Sequence, residues 1–117
     1  MQLAIGNKEY NFRFGIKFIR ELDKKYYIEK DGLKFGAALE LKIPLILTGD
    51  AVALAELLYA ATVTETKRPS QDSIDEYVEN TEDIDGLFTE VVEELKKGNA
   101  TKLKMQQVEK SLKDQKK

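Results

Sequence analysis

The stretch GLKFGAALELKIPLILTGDAVALAELLYAATV, residues 32–63, is mostly apolar inside a chain that is 34% charged, so any fold must find a place for it. A membrane span needs ~20 consecutive, mostly apolar residues, and this run is interrupted by Lys34, Glu40, Lys42, Asp50 and Glu56. It therefore belongs in a core or against a partner. The opening MQLAIGNKEY is polar and alternating rather than a basic segment followed by an apolar one, so no secretory signal is read there and an intracellular, soluble protein is expected.

A chain of 117 residues suits one hydrophobic core. The expected division is a single globular domain over 1–98 and a basic tail over 99–117, partly helical or frayed at its end. With no cysteine and no histidine, thiolate chemistry, disulfides and the commonest general base and metal ligand are all missing, so no catalytic residue, metal or cofactor is expected. Charge is uneven. Residues 1–64 are nearly neutral, with nine basic and eight acidic side chains, residues 65–95 carry two basic against eleven acidic, and 96–117 carry eight lysines against Glu109 and Asp114. The two biased segments can be solvated faces or can attract one another within or between chains. A lysine tail without arginine or interleaved aromatics is a poor reader of bases, which argues against nucleic acid as a partner.

Leu3 and Ile5, then Tyr10, Phe12 and Phe14 after the turn signal Gly6-Asn7, predict a β-hairpin over 2–14 with one buried face. Ile16, Ile19, Leu22 and Tyr26 predict a helix over 15–26. After a turn at Asp31-Gly32, the apolar stretch reads as two helices divided at Thr48-Gly49-Asp50. The first carries the stripe Phe35, Leu39, Ile43 and Leu47, and Pro44 should kink it, restart it or move its boundary to Ile43. The second begins at an Asp50 cap and carries Leu54, Leu57, Leu58 and Ala61. Ser70 caps a short acidic helix with Ile74, Tyr77 and Val78, and Ile84, Leu87, Phe88, Val91, Val92 and Leu95 predict an amphipathic helix ended by Lys96, Lys97 and a left-handed cap at Gly98-Asn99. Met105, Val108 and Leu112 form a thin stripe in the tail. The expected architecture is α+β and mostly α, a hairpin packed on a bundle of about five helices.

Asp83-Ile84-Asp85-Gly86 imitates part of a calcium loop, but position 1 would be Thr81 and position 12 Val92, so an acidic helix start is the better reading. The pairs Asp75 with Glu79 and Glu90 with Glu94 fall on polar sides of helices and read as solvated. No phosphate loop or nucleophile elbow is present. What remains is Ile43-Pro44-Leu45-Ile46-Leu47, apolar all round, which must be buried on every side by the chain itself or covered by a partner.

The ordered segments EYNFRFGIKFIRELDKKY, GLKFGAALELKIPLILTGDAVALAELLYAAT, RPSQDSIDEYVEN and LFTEVVEELKKGNATKL resemble the tail assembly chaperones of long, non-contractile-tailed phages and prophages of Gram-positive bacteria. The resemblance runs to about Leu103. It departs in the first turn, which is Gly6-Asn7 where the family often has Asn-Gly. It implies a non-enzymatic protein of the host cytoplasm, absent from the mature virion, that binds the apolar tape-measure protein, keeps it soluble and promotes tail-tube polymerisation around it. It further implies contact with the tail-tube protein through a longer frameshifted form, of which this chain resembles the short form, while self-association is expected from the biased charge. The surface expected to face the client or a second copy is Leu39, Ile43, Leu47, Leu58 and Tyr59, next to the all-round apolar run. A structural virion component, such as a tail terminator or connector, or a small helical adaptor or regulator is the other reading.

Overall fold

The computed structural model describes residues 1–115. The expectation of a frayed C-terminal end falls partly on residues 116 and 117, which lie outside this range. The chain runs β1 (Gln2–Ile5), β2 (Lys8–Asn11), α1 (Ile16–Asp23), β3 (Tyr27–Lys30), β4 (Leu33–Gly36), α2 (Ala38–Leu47), α3 (Ala51–Ala61), α4 (Gln71–Asn80), α5 (Ile84–Lys97) and α6 (Lys102–Gln115). It is α+β and mostly α: two separate antiparallel hairpins and six helices among the described residues.

The first hairpin turns at Gly6, whose positive φ of 65° costs glycine nothing, and pairs Leu3 with Tyr10 and Ile5 with Lys8. Its ladder continues as Phe12 N–H donates to Met1 O (2.8 Å), and Arg13 N–H then donates to Ala61 O (2.9 Å), tying the strand end to α3. Phe12 and Phe14 are thereby driven into the core, where Phe14 meets Phe18 edge to face at 5.0 Å.

Two expectations are corrected in the next segment. α1 stops at Asp23, three residues short of the reach to Tyr26, and it buries Phe18 and Leu22 while Ile16 is exposed. Residues 33–36 are a strand, not the start of a helix, and Phe35 leaves the proposed stripe to stand exposed on β4. The cause is the Asp31-Gly32 turn. Both residues have positive φ, 54° and 79°, the two-residue geometry whose twist suits a hairpin, and it pairs Ile28 with Phe35 and Glu29 with Lys34. A helix cannot begin until Ala38.

There Asp23 at the end of α1 reaches across, and its Oδ1 accepts from Ala38 N–H at 3.1 Å, satisfying one of the free donors of α2. This cap explains Gly36, where an added Cβ would stand 2.1 Å from Asp23 Oδ2. Gly36→Ala must push the carboxylate off its acceptor position, so a loss of about 1 kcal/mol is expected, the usual cost of a lost cap, read as a lower urea midpoint. Asp23→Ala should cost a similar amount, and the double variant little more than either, because both act through one hydrogen bond.

α2 runs through Pro44 without breaking. Asp50 N–H donates to Leu45 O (2.9 Å) and Gly49 N–H, at positive φ, to Ile46 O (3.2 Å), closing the helix in a Schellman pattern. The expected caps at Asp50 and Ser70 are in place, with Asp50 Oδ1 accepting from Ala53 N–H (2.9 Å) and Ser70 Oγ from Ser73 N–H (3.1 Å), and at the acidic helix start Asp83 caps α5, its Oδ1 accepting from Gly86 N–H (2.9 Å). The last of these makes the calcium-loop look-alike a helix start. Gly98, expected to be left-handed, has φ −72°. A side chain there would meet Thr101 Oγ1 at 3.0 Å, so close approach and not handedness favours glycine.

The core joins Phe12, Phe18, Ile43, Leu54, Leu57, Leu58, Ile74, Val91 and Leu95 with Met105 of α6. α6 packs on α2 and α5, pinned by fully buried Thr101, whose hydroxyl donates to Leu95 O at 2.7 Å. Within one copy the acidic and basic segments meet at their junction, where Lys96 pairs with Glu93 (3.9 Å) and Lys97 with Glu94 (2.7 Å), while Lys104 of α6 pairs with Glu40 of α2 at 3.6 Å.

Candidate functional site

The sequence of α2, ALELKIPLIL, has only Glu40 and Lys42 as charged residues, and one of them points inward. Lys42 is almost fully buried, its Nζ 3.0 Å from Glu56 Oε1 on α3 and 3.9 Å above the Tyr26 ring. With Ala38, Leu39, Ile43 and Ile46 buried on the same side, Leu41 and Leu45, one turn apart, fall on the opposite side, where they are 50% and 37% exposed. This is an apolar helix with apolar side chains left over.

Beside that strip lies a shallow groove of about 290 Å³ between α2 and α6, lined by Glu40, Pro44, Lys104, Val108 and Leu112 among others. Drug-sized ligand pockets run to ~300–1,000 Å³, so the groove suits side chains of a helix laid along it better than an enclosed small molecule. Its Glu40–Lys104 pair at one side provides a charged margin.

Of the five residues expected to form the partner surface, Leu39, Ile43 and Leu58 belong to the core, and Leu47 and Tyr59 are half-buried at its border. Tyr59 carries the Arg68 guanidinium 3.8 Å over its ring. Leu41 and Leu45, absent from that expectation, are the exposed members. Once the burial side of α2 is known, its helical period points to them.

A cleft of about 550 Å³ opens at the N-terminus against Phe12, Phe14, Ile16 and Gly98. Three of its charged groups, the Met1 ammonium, Glu94 and Lys97, satisfy one another. The Met1 ammonium lies 3.2 Å from Glu94 Oε1, and Lys97 Nζ 2.7 Å from Glu94 Oε2, so Glu94 is not the freely solvated carboxylate expected from its helix position. The Lys97 hydrogen bond foremost, with the Met1 ammonium, holds the Glu94 carboxyl below the usual carboxylate range against the opposing effect of burial. A lowered folded-state pKa contributes stability above the unfolded pKa and loses it as pH falls through the folded value. Glu94→Gln should therefore lower the urea midpoint near pH 6, by an amount that starts to shrink as pH falls below the ~4.3 of a free glutamate and vanishes only once the folded carboxyl is itself protonated. Glu56 moves the other way: burial raises it, Lys25 opposes and Asp75 adds.

No group of three or more acidic side chains among the described residues is arranged to hold a metal ion, and no helix among them is long and apolar enough to cross a membrane. An apolar, charge-margined helix face has the geometry of a surface that takes a partner protein. The family model of the phage tail assembly chaperone protein, TAC, matches residues 2–110, and the chain belongs to that family. Searches of curated proteins and of solved structures give no significant match.

Proposed function

We propose that the chain acts in the host cytoplasm as the chaperone of the tape-measure protein, laying an apolar helix of that client along the outer face of α2 and the α2–α6 groove. The observation that carries this reading is the exposure of Leu41 and Leu45 on a helix whose remaining apolar side chains are packed. Leu39, Ile43 and Leu58 form the rigid floor behind this face and Leu47 and Tyr59 its border, so the five residues support the client instead of all touching it. Helix-in-groove recognition reads anchors at i, i+3, i+4 and i+7, a pattern an apolar rod presents along its whole length, so several copies can coat one client and keep it soluble. Tail-tube subunits, reached through a longer form of the chaperone, then polymerise around the coated rod, and the chaperone leaves before the virion is complete.

Co-expression with the tape-measure protein of the same genome, followed by tagged pull-down and light scattering, tests this. A soluble complex with several chaperone copies per client supports the reading. An insoluble tape-measure protein beside a lone chaperone contradicts it, and recovery of the chain from purified particles would favour a virion component instead.

A further inference from the structure

Seven of the nine large hydrophobic residues found exposed lie between positions 27 and 52, and four of them, Tyr27, Ile28, Leu33 and Phe35, are on the β3–β4 hairpin. All eight strand residues of that hairpin are exposed. Its register puts Ile28, Lys30, Leu33 and Phe35 on one face, and Tyr27, Glu29 and Lys34 on the other, where Lys34 Nζ sits 4.8 Å over the Tyr27 ring. This is the alternation of a sheet with one buried face, yet the copy that carries it supplies no cover. A two-stranded hairpin of four-residue strands is marginal by itself in water, and its edges are open.

A complementary surface lies at the foot of the same hairpin. The groove of about 350 Å³ between α3 and α4 has an apolar floor of Ala51, Val52, Ala55 and Val78 and an acidic rim of Glu56, Asp75 and Glu79, and it is also lined by Lys25 from the hairpin's stem. Val52 is 70% exposed on that floor. The apolar face of the hairpin carries Lys30, and its stem and turn segment, residues 24–34, holds four lysines against Glu29 and Asp31. Donor and acceptor thus match in both hydrophobicity and charge, and they are neighbours on one molecule.

We propose that the β3–β4 hairpin of one copy seats its Ile28–Leu33–Phe35 face in the α3–α4 groove of a second copy, reciprocally about a two-fold axis. Adjacency is what makes the exchange close: an axis between hairpin and groove sends each hairpin into the other copy's groove and leaves no unmatched surface, so assembly stops at two. One such hairpin offers less than the ~800 Å² per partner of a standard interface, whereas the reciprocal contact doubles the area. Lys30 then lies against Glu79 or Asp75, which sets the orientation and makes the dimer weaken with salt. The α2–α6 face stays outside this contact, so the two-copy unit can present two client faces.

The test uses the full chain alone, without client, so its outcome is separate from that of the chaperone reading. Sedimentation equilibrium should give twice the chain mass, and Leu33→Asp or Val52→Asp should each return it to the monomer with an unchanged far-ultraviolet spectrum, since both positions are more than 60% exposed. Because the chain has no cysteine, Leu33→Cys and Val52→Cys variants carrying different tags can be mixed and oxidised. Disulfides joining one tag to the other should dominate by at least tenfold over same-tag pairs. A chain that stays monomeric at 100 µM overturns the proposal. So does a dimer in which Leu33→Cys couples mainly to itself, which would mean hairpins meeting face to face, or one indifferent to both Asp variants.

Discussion

Ile43→Asp should leave no cooperative unfolding transition at 25 °C, whereas Leu41→Asp, two residues earlier on the same helix, should unfold within about 0.5 kcal/mol of the parent, as exposed substitutions do. Ile43 has 0% exposure and packs in the shared core of the helices, while Leu41 is half exposed. A carboxylate at Ile43 must either be buried unpaired or take up a proton, and either route costs several kcal/mol against a total stability of ~5–15 kcal/mol. Removing volume without adding charge is gentler: Ile43→Ala should cost about 2–5 kcal/mol and still fold. Thermal and urea denaturation of the three variants, followed by circular dichroism, read the difference. A folded Ile43→Asp chain would mean that α2 is open, with Ile43 itself on the partner surface.

Arg68→Ala should be the most damaging change at a residue with part of its side chain in solvent, costing about 3 kcal/mol, in the range of hydrogen bonds to charged groups, and lowering the melting temperature by on the order of 10 °C. Its guanidinium joins three elements. Nη2 donates to Tyr59 O at 2.9 Å and Nε to Thr62 Oγ1 at 3.1 Å, closing the end of α3, and Nη1 donates to Glu21 Oε2 of α1 at 3.3 Å, all while the guanidinium carbon sits 3.8 Å over the Tyr59 ring. Without it the Tyr59 carbonyl keeps only the Thr62 hydroxyl (2.6 Å) as a side-chain donor, and Thr62 and Glu21 each lose the guanidinium, just where the chain leaves α3 for Pro69. Arg68→Lys should recover less than half of the loss, because an ammonium can neither span three acceptors in a plane nor stack. Glu21→Gln should cost well under 1 kcal/mol, since that pair is partly solvated. Equal effects of Arg68→Lys and Arg68→Ala would confirm that the fork geometry matters more than the charge, while full rescue by lysine would contradict this assignment.

Much of the fold is legible in the residues. The first hairpin follows from its alternation, and the caps at Asp50 and Ser70 are each announced by an oxygen-bearing side chain ahead of an apolar period. The second hairpin is not, because Phe35, Leu39, Ile43 and Leu47 keep a four-residue spacing that imitates a helix across a real boundary. Only the Asp31-Gly32 turn, with Ile28 and Lys30 before it and Leu33 and Phe35 after, carries the competing period of two. The apolar run of α2 marks the right helix but not its outer side. Its charged residues are too few to define a solvent face, and Lys42, which would ordinarily point to water, is turned inward by Glu56 and the Tyr26 ring. A buried lysine thus conceals which leucines are free, and the expected surface fell on Leu39, Ile43 and Leu58, three side chains of the core.

If the outer face of α2 holds the client, Leu41→Asp/Leu45→Asp and Val52→Asp should part company in tape-measure co-purification. All three positions are exposed, so each variant should remain folded. The expected result is that the α2 double variant loses at least nine-tenths of the co-purified client while Val52→Asp, on the other groove, retains most of it. Retention by the α2 variant, with loss in Val52→Asp, would place the client on the α3–α4 side and contradict the assignment.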